Sequence, residues 1–222
     1  MKKIIFAGMS SLMLLAGGAI ATAHADIGSL SKLYENAQGA GLSSHVLQAA
    51  LNGYSWAKAH GDVHNTNVLT VVDFTKPSTE KRLWVLNLKN DTVMTRALVA
   101  HGHNSGYIDA THFSNAFNSH ESSLGVYTTG QSVYYGHHGR SLKVYGLEKG
   151  INNHAYARAI EIHPANYVNP NDIKKYGRIG RTYGCFGLNP QVAQKIITQT
   201  KGGSVLFAYA SPEDNDPVAT AS

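Results

Sequence analysis

The sequence predicts a mainly β protein, a sandwich or barrel-like core carrying an N-terminal helical extension and a few short helices. Two observations point there. From Asn67 onward the chain is a series of short apolar runs divided by turn residues, the texture of consecutive strands. Before that, residues 26–60 place apolar side chains at helical spacing.

In order along the chain, residues 1–25 read "MKKIIFAGMSSLMLLAGGAIATAHA". Two lysines, an apolar run and a small-residue Ala-His-Ala end form the layout of a secretory signal peptide, with cleavage expected after Ala25. The competing reading is an uncleaved anchor, but the run from Ile4 to Ile20 is short for a span and is interrupted by Gly8, Gly17 and Gly18. The expectation is an exported protein of the periplasm or cell envelope, without stable membrane insertion. Residues 26–62 form the helical extension, with Leu30, Leu33, Tyr34 and Ala37 on one stripe and Val46, Leu47, Ala50, Leu51 and Tyr54 on a second. Ser43 or Ser44 caps the second helix, which ends near Gly61.

Strands follow at "NVLTVVDF", "RLWVLNL", "TVMTRALVAHG", "LGVYTT", "SLKVYGL", "RAIEIH" and "SVLFAYA", all inside a β-rich body spanning 63–210. One further helix runs from Pro190 to about Gln199, with Asn189 as its N-cap. The tail 211–222, "SPEDNDPVATAS", is polar and acidic and reads as disordered.

The formal charge is only +5 and evenly spread, which argues against a nucleic-acid partner and is compatible with an anionic envelope. There is one cysteine, Cys185, within "GRIGRTYGCFGLNP". Exported proteins use cysteines in pairs, so an odd thiol is either an inert buried residue or a reactive one. The surroundings favour reactivity: they are glycines, arginines and tyrosines rather than core residues. Arg178 and Arg181 lie just upstream, where positive charge lowers a thiol's pKa. The glycines let backbone N–H groups approach a reacting carbonyl. A thiol nucleophile needs a base, and His163, at the end of the apolar strand "RAIEIH", is the candidate.

These residues resemble the L,D-transpeptidase (YkuD-like) catalytic-domain family, cysteine enzymes of bacterial peptidoglycan. That family carries a histidine at a strand end, a loop, then Ser/Thr-His-Gly-Cys with an arginine two residues later. His163, Thr182 and Gly184-Cys185 match these positions, and "SSLGVYTTG" resembles an upstream family strand. Tyr183 replaces the signature histidine and Gly187 the arginine. The blocks "VVDFTKPSTEKRLWVLNL", "HGHNSG" and "GLEKGINNHAYARAI" resemble the murein branch, which has an aromatic residue before Gly-Cys.

The resemblance implies catalysis by Cys185 and His163, with backbone N–H groups around Tyr183, Gly184 and Cys185 as oxyanion donors, and no cofactor. It implies peptidoglycan stem peptides as partners, carbapenem-type β-lactams as inhibitors, and either 3–3 cross-linking or L,D-carboxypeptidase trimming. Arg181 or Arg178 then supplies the charge that the missing arginine would give a substrate carboxylate, and His120 and Ser123 are further candidate substrate-binding residues. Two other readings compete. His101-x-His103 and His137-His138 suggest a zinc-dependent envelope hydrolase, although no His-Glu-x-x-His occurs. Tyr107, Tyr134, Tyr135 and Tyr167 suggest a non-catalytic envelope-binding module that stacks on sugars.

Overall fold

Alternation of side chains along the central strands decides the architecture. In the computed structural model, which describes residues 27–221, β1 (Val68–Asp73), β2 (Leu83–Asn87) and β9 (Val205–Tyr209) are buried almost throughout. Val68 and Val72, Leu83 and Val85, and Leu206 and Ala208 enter one core; Leu69 and Val71, Trp84 and Leu86, and Val205 and Phe207 enter another. Successive residues of a strand point to opposite faces, so strands covered on both sides read as unbroken apolar runs. That is why "NVLTVVDF" and "SVLFAYA" stand out in the sequence.

The first layer over this sheet is helical. α1 (Ile27–Gly39) and α2 (Ser44–Ala59) bury Leu33, Ala37, Val46, Leu47 and Ala50 against Trp84, Leu86, Val126 and Phe207. Ser43 is the cap of α2, its hydroxyl accepting from the Val46 N–H at 3.2 Å. α2 lies so close to the sheet that a Cβ on Gly53 would sit 2.8 Å from Val126 Cγ2. On the other face α4 (Pro190–Thr200) buries Ala193, Ile196 and Ile197. The signal-peptide expectation for 1–25 lies outside the described residues.

The remaining strands are β3 (Thr92–Ala97), β4 (Gly125–Thr129), β5 (Tyr134–Gly136), β6 (Gly139–Gly146), β7 (Glu161–Pro164) and β8 (Phe186–Leu188). The order is β3-β2-β1-β9-β4-β6-β7-β8, with β5 paired to β6. The two ends of this order meet. Ala100 N–H donates to Gly187 O at 2.9 Å, Thr182 N–H to His101 O at 2.9 Å, and His103 N–H to Thr182 O at 2.7 Å. The chain beyond β3 thus pairs with the approach to β8 and makes the sheet barrel-like.

Two elements differ from the sequence expectation. α3 (Pro170–Tyr176) occupies what reads as a loop; it buries no residue, so it leaves no apolar periodicity to detect. The described part of the tail, 211–221, is ordered rather than disordered. Ser211–Asn215 form a 3-10 turn, and α5 (Pro217–Thr220) is capped by Asp216 and buries Ala219 in the core shared with α2.

Candidate active site

β7 and β8 run parallel, with Ile162 opposite Phe186 and His163 opposite Gly187. His163 therefore sits one residue before the end of β7, beside the strand that Cys185 leads into. Both side chains line one cleft of about 480 Å³, together with His103, His138, Arg158, Tyr167, Arg181 and Tyr183. The His163 ring is buried, and its Nδ1–H donates to Pro164 O at 2.9 Å. That bond fixes the tautomer and leaves Nε2 as the lone-pair nitrogen. Burial, outweighing the hydrogen bond to Pro164, pulls its pKa down to about 4, with a further push from His138.

The Cys185 Sγ–H donates to Ala159 O at 3.6 Å. Burial pushes the thiol up to about 11; a hydrogen bond from the Glu161 backbone pulls it down, the Glu161 charge adds to the rise, and Lys143 and Arg158 pull it the other way. At neutral pH the pair is a neutral thiol and a neutral imidazole. The cations acting on Cys185 are therefore Lys143 and Arg158, rather than the Arg178 and Arg181 that the sequence suggested.

The loop before Cys185 is held by Thr182. Its Oγ1 donates to Cys185 O at 2.8 Å and accepts from Gly184 N–H at 3.1 Å. Gly184 N–H is thus occupied. Tyr183 and Cys185 N–H are left without a partner among the described residues. Gly184 has φ +116°, and a Cβ there would lie 2.7 Å from Glu121 O and 2.8 Å from Ile160 Cδ1. Only glycine fits such a position without strain.

The other predicted residues scatter. Arg181 lines the cleft, tethered through bonds to His103 O (2.8 Å) and Gly106 O (2.7 Å). Arg178 faces a separate cavity with Tyr167, Asp172 and Tyr176, its guanidinium 4.5 Å from the Tyr107 ring centroid. His120 stacks on exposed Tyr183 with centroids 4.1 Å apart. Ser123 is buried, donating to Ser114 O and accepting from Arg158, so it supports the loop rather than lining the cleft. His101 is also internal: Arg82 donates to its Nδ1 at 2.7 Å, and its Nε2–H donates to Gly106 O at 3.3 Å. Both nitrogens are engaged, which leaves no lone pair for a metal.

Arg158 is one cleft residue that sequence reasoning missed. Its guanidinium bonds Ser114 O, Ser119 Oγ, Glu121 O and Ser123 Oγ, clamping the segment 114–123 against the cleft. Nothing in its sequence neighbourhood signals this, because the contacts span more than thirty positions.

A buried histidine and the cysteine thus line one cleft beside paired strand ends, an arrangement of a base and a nucleophile that can carry thiol acyl transfer. The chain belongs to the L,D-transpeptidase catalytic domain family, whose model matches residues 38–209. No curated protein matches it. Among solved structures it is similar to an L,D-transpeptidase from Mycobacterium smegmatis, at 14% identity and a TM-score of 0.39, covering 65% of this chain and 59% of that one. It is also similar to an L,D-transpeptidase in complex with imipenem, at 12% identity and 0.39, covering 64% and 59%. L,D-transpeptidase 1 of Mycobacterium tuberculosis aligns at 10% identity and 0.37, covering 65% and 62%. The chain spans about three fifths of the length of these structures.

Proposed function

We propose that this protein is a cysteine acyltransferase acting on peptidoglycan tetrapeptide stems outside the cytoplasm. The observation that carries the reading is the shared cleft of Cys185 and His163, with His163 Nδ1 tied to Pro164 O and Nε2 left as base. Family membership supports the choice of substrate.

In this reading His163 Nε2 takes the Cys185 thiol proton as sulfur attacks the carbonyl of the third stem residue. Because the resting pair is neutral, proton transfer accompanies attack rather than preceding it. Tyr183 and Cys185 N–H receive the oxyanion, while Gly184 supplies the backbone shape that aims them. The C–N bond then breaks, His163 returns the proton to the departing amine, and D-alanine leaves a thioester on Cys185. An amine of a neighbouring stem, or water, attacks that carbonyl; its proton passes through His163 to the sulfur and the thiol is restored. Lys143 and Arg158 are the cations near the developing thiolate, and Arg181 is available to a substrate carboxylate, for which a planar guanidinium fork is suited.

The reading includes export, with the leader 1–25 removed; no helix among the described residues is long and apolar enough to cross a membrane. The test is release of D-alanine from purified tetrapeptide muropeptides. Wild type releases it, and Cys185→Ala does not while keeping its circular dichroism spectrum. Equal release by the variant would overturn the assignment, and the product masses separate cross-linking from trimming.

A further inference from the structure

His137 and His138 form the two-residue tip of the hairpin whose strands close at Gly136↔Gly139. The same hairpin is anchored to the catalytic strand, because β6 pairs with β7 through Leu142↔Ile162 and Lys143↔Glu161. This register carries the tip over the end of β7. His138 is exposed, yet its ring stacks on buried His163 with centroids 4.1 Å apart and planes 22° from parallel. It covers the base on one face and lines the same cleft.

We propose that His138 is a positioning residue: stacked on His163, it fixes the plane of that imidazole toward Cys185 and couples its own charge to that of the base. This rests on the reading of Cys185 and His163 given above. A single hydrogen bond, Nδ1–H to Pro164 O, holds one edge of the His163 ring. The His138 ring laid on its face restrains the plane of the ring. Misplacement of a reacting group by a fraction of its bond length is costly in rate. Stacking also keeps water from the buried ring.

The charge coupling follows from proximity. Two imidazolium rings at this separation repel, so each proton bound by one disfavours a proton on the other. The protein atoms packed against one side of the exposed His138 ring, together with His137, hold it below the ordinary imidazole range, and it in turn depresses His163. The other titratable groups around the two rings are Cys185, Tyr167, His103, Arg158 and Arg181 in the cleft, with the Lys143–Glu161 pair on the adjoining strands. A neutral His138 permits the imidazolium that forms as the thiol is deprotonated; a protonated one opposes it.

The test compares wild type, His138→Ala and His138→Phe on tetrapeptide stems across the acid range. Phenylalanine keeps a flat ring over His163 but carries no charge. His138→Ala should lower kcat by about tenfold, within the range set by lost orientation, with KM little changed. His138→Phe should recover most of that loss. The acid limb of kcat/KM should change from two coupled protons in wild type to one in His138→Phe. Wild-type kcat and pH profile in His138→Ala would overturn the proposal, as would a two-proton limb in His138→Phe. Imidazole NMR titration reads the coupling without activity: the His163 pKa should rise in His138→Phe, and an unchanged value would overturn it. If wild type releases no D-alanine, the reaction assignment fails, and the NMR titration alone decides the coupling.

Discussion

Gly187 stands opposite His163 in the parallel β7–β8 pair, and no side chain fits there. A Cβ at 187 would lie 2.9 Å from Thr182 Cγ2, 3.4 Å from Ala165 Cβ and 3.5 Å from Ala100 Cβ. The signature arginine missing at this position has no room in this barrel. Gly187→Arg should therefore fail to supply a substrate contact; it should push Thr182 aside, lower the melting temperature and abolish D-alanine release. A soluble Gly187→Arg protein with raised activity would contradict this packing account.

Gly184 is the second glycine on which the site depends. Gly184→Ala meets Glu121 O and Ile160 at a backbone angle that L residues rarely adopt. The expected cost is about 1–3 kcal/mol of stability, and the reaction should slow further because Tyr183 and Cys185 N–H are re-aimed. Chemical denaturation and D-alanine release measure the two effects separately.

Thr182→Val removes the hydroxyl that holds both Gly184 N–H and Cys185 O. A buried N–H left without a partner costs about 1–3 kcal/mol. The variant should lose stability on that scale and turn over more slowly, whereas Thr182→Ser should retain both properties.

The strands and the two capped helices were legible in the sequence for physical reasons. Apolar runs covered on both faces and a Ser or Asn cap announce themselves locally, as at Ser43 and Asn189, whose side chain accepts from Gln191 N–H at 3.1 Å. Three-residue β5 and β8 are too short to show a period. The tail was misjudged on composition: Asp216-Pro217 is a helix start, and Ala219 and Val218 pack on α2. In the site, Cys185 and His163 were legible because each has a chemical oddity in its own segment. Arg158 and His138 were not, because a hairpin tip and a loop bring them in from far along the chain.

The tail makes stability depend on pH. Burial raises Glu213 to about 8, with Glu148, Asp216 and Asp214 adding to the rise, and raises Glu148 to about 7, opposed by the bond from Val126 N–H and helped by Asp216. Their folded-state values lie above the unfolded value of 4.5, so their favourable contribution is fully present below that pH and is lost progressively as pH rises from there through about 7 to 8. The melting temperature should fall across that interval, and Glu213→Gln, which mimics the protonated acid, should flatten the fall. A melting temperature that rises there instead would contradict the assignment.

The state of the thiol has a direct consequence as well. With Cys185 near 11, alkylation by iodoacetamide should climb steadily with pH through neutrality. Arg158→Ala should move the curve to still higher pH, since a cation that favours the thiolate is gone. A rate that is already at its plateau near neutral pH would indicate a preformed thiolate–imidazolium pair.

The central claim is that Cys185 is an acyl acceptor activated by His163. A carbapenem offers a strained amide whose ring opens without loss of atoms, so attack by Cys185 adds the whole drug through a thioester. Peptide mass spectrometry after incubation with imipenem measures this on the tryptic peptide Thr182–Lys195. The account predicts a mass increase equal to intact imipenem on that peptide, slowed by about 10²–10⁴-fold in His163→Asn, the usual scale of general acid–base catalysis. An unmodified peptide from protein whose Cys185 still reacts with iodoacetamide would contradict it.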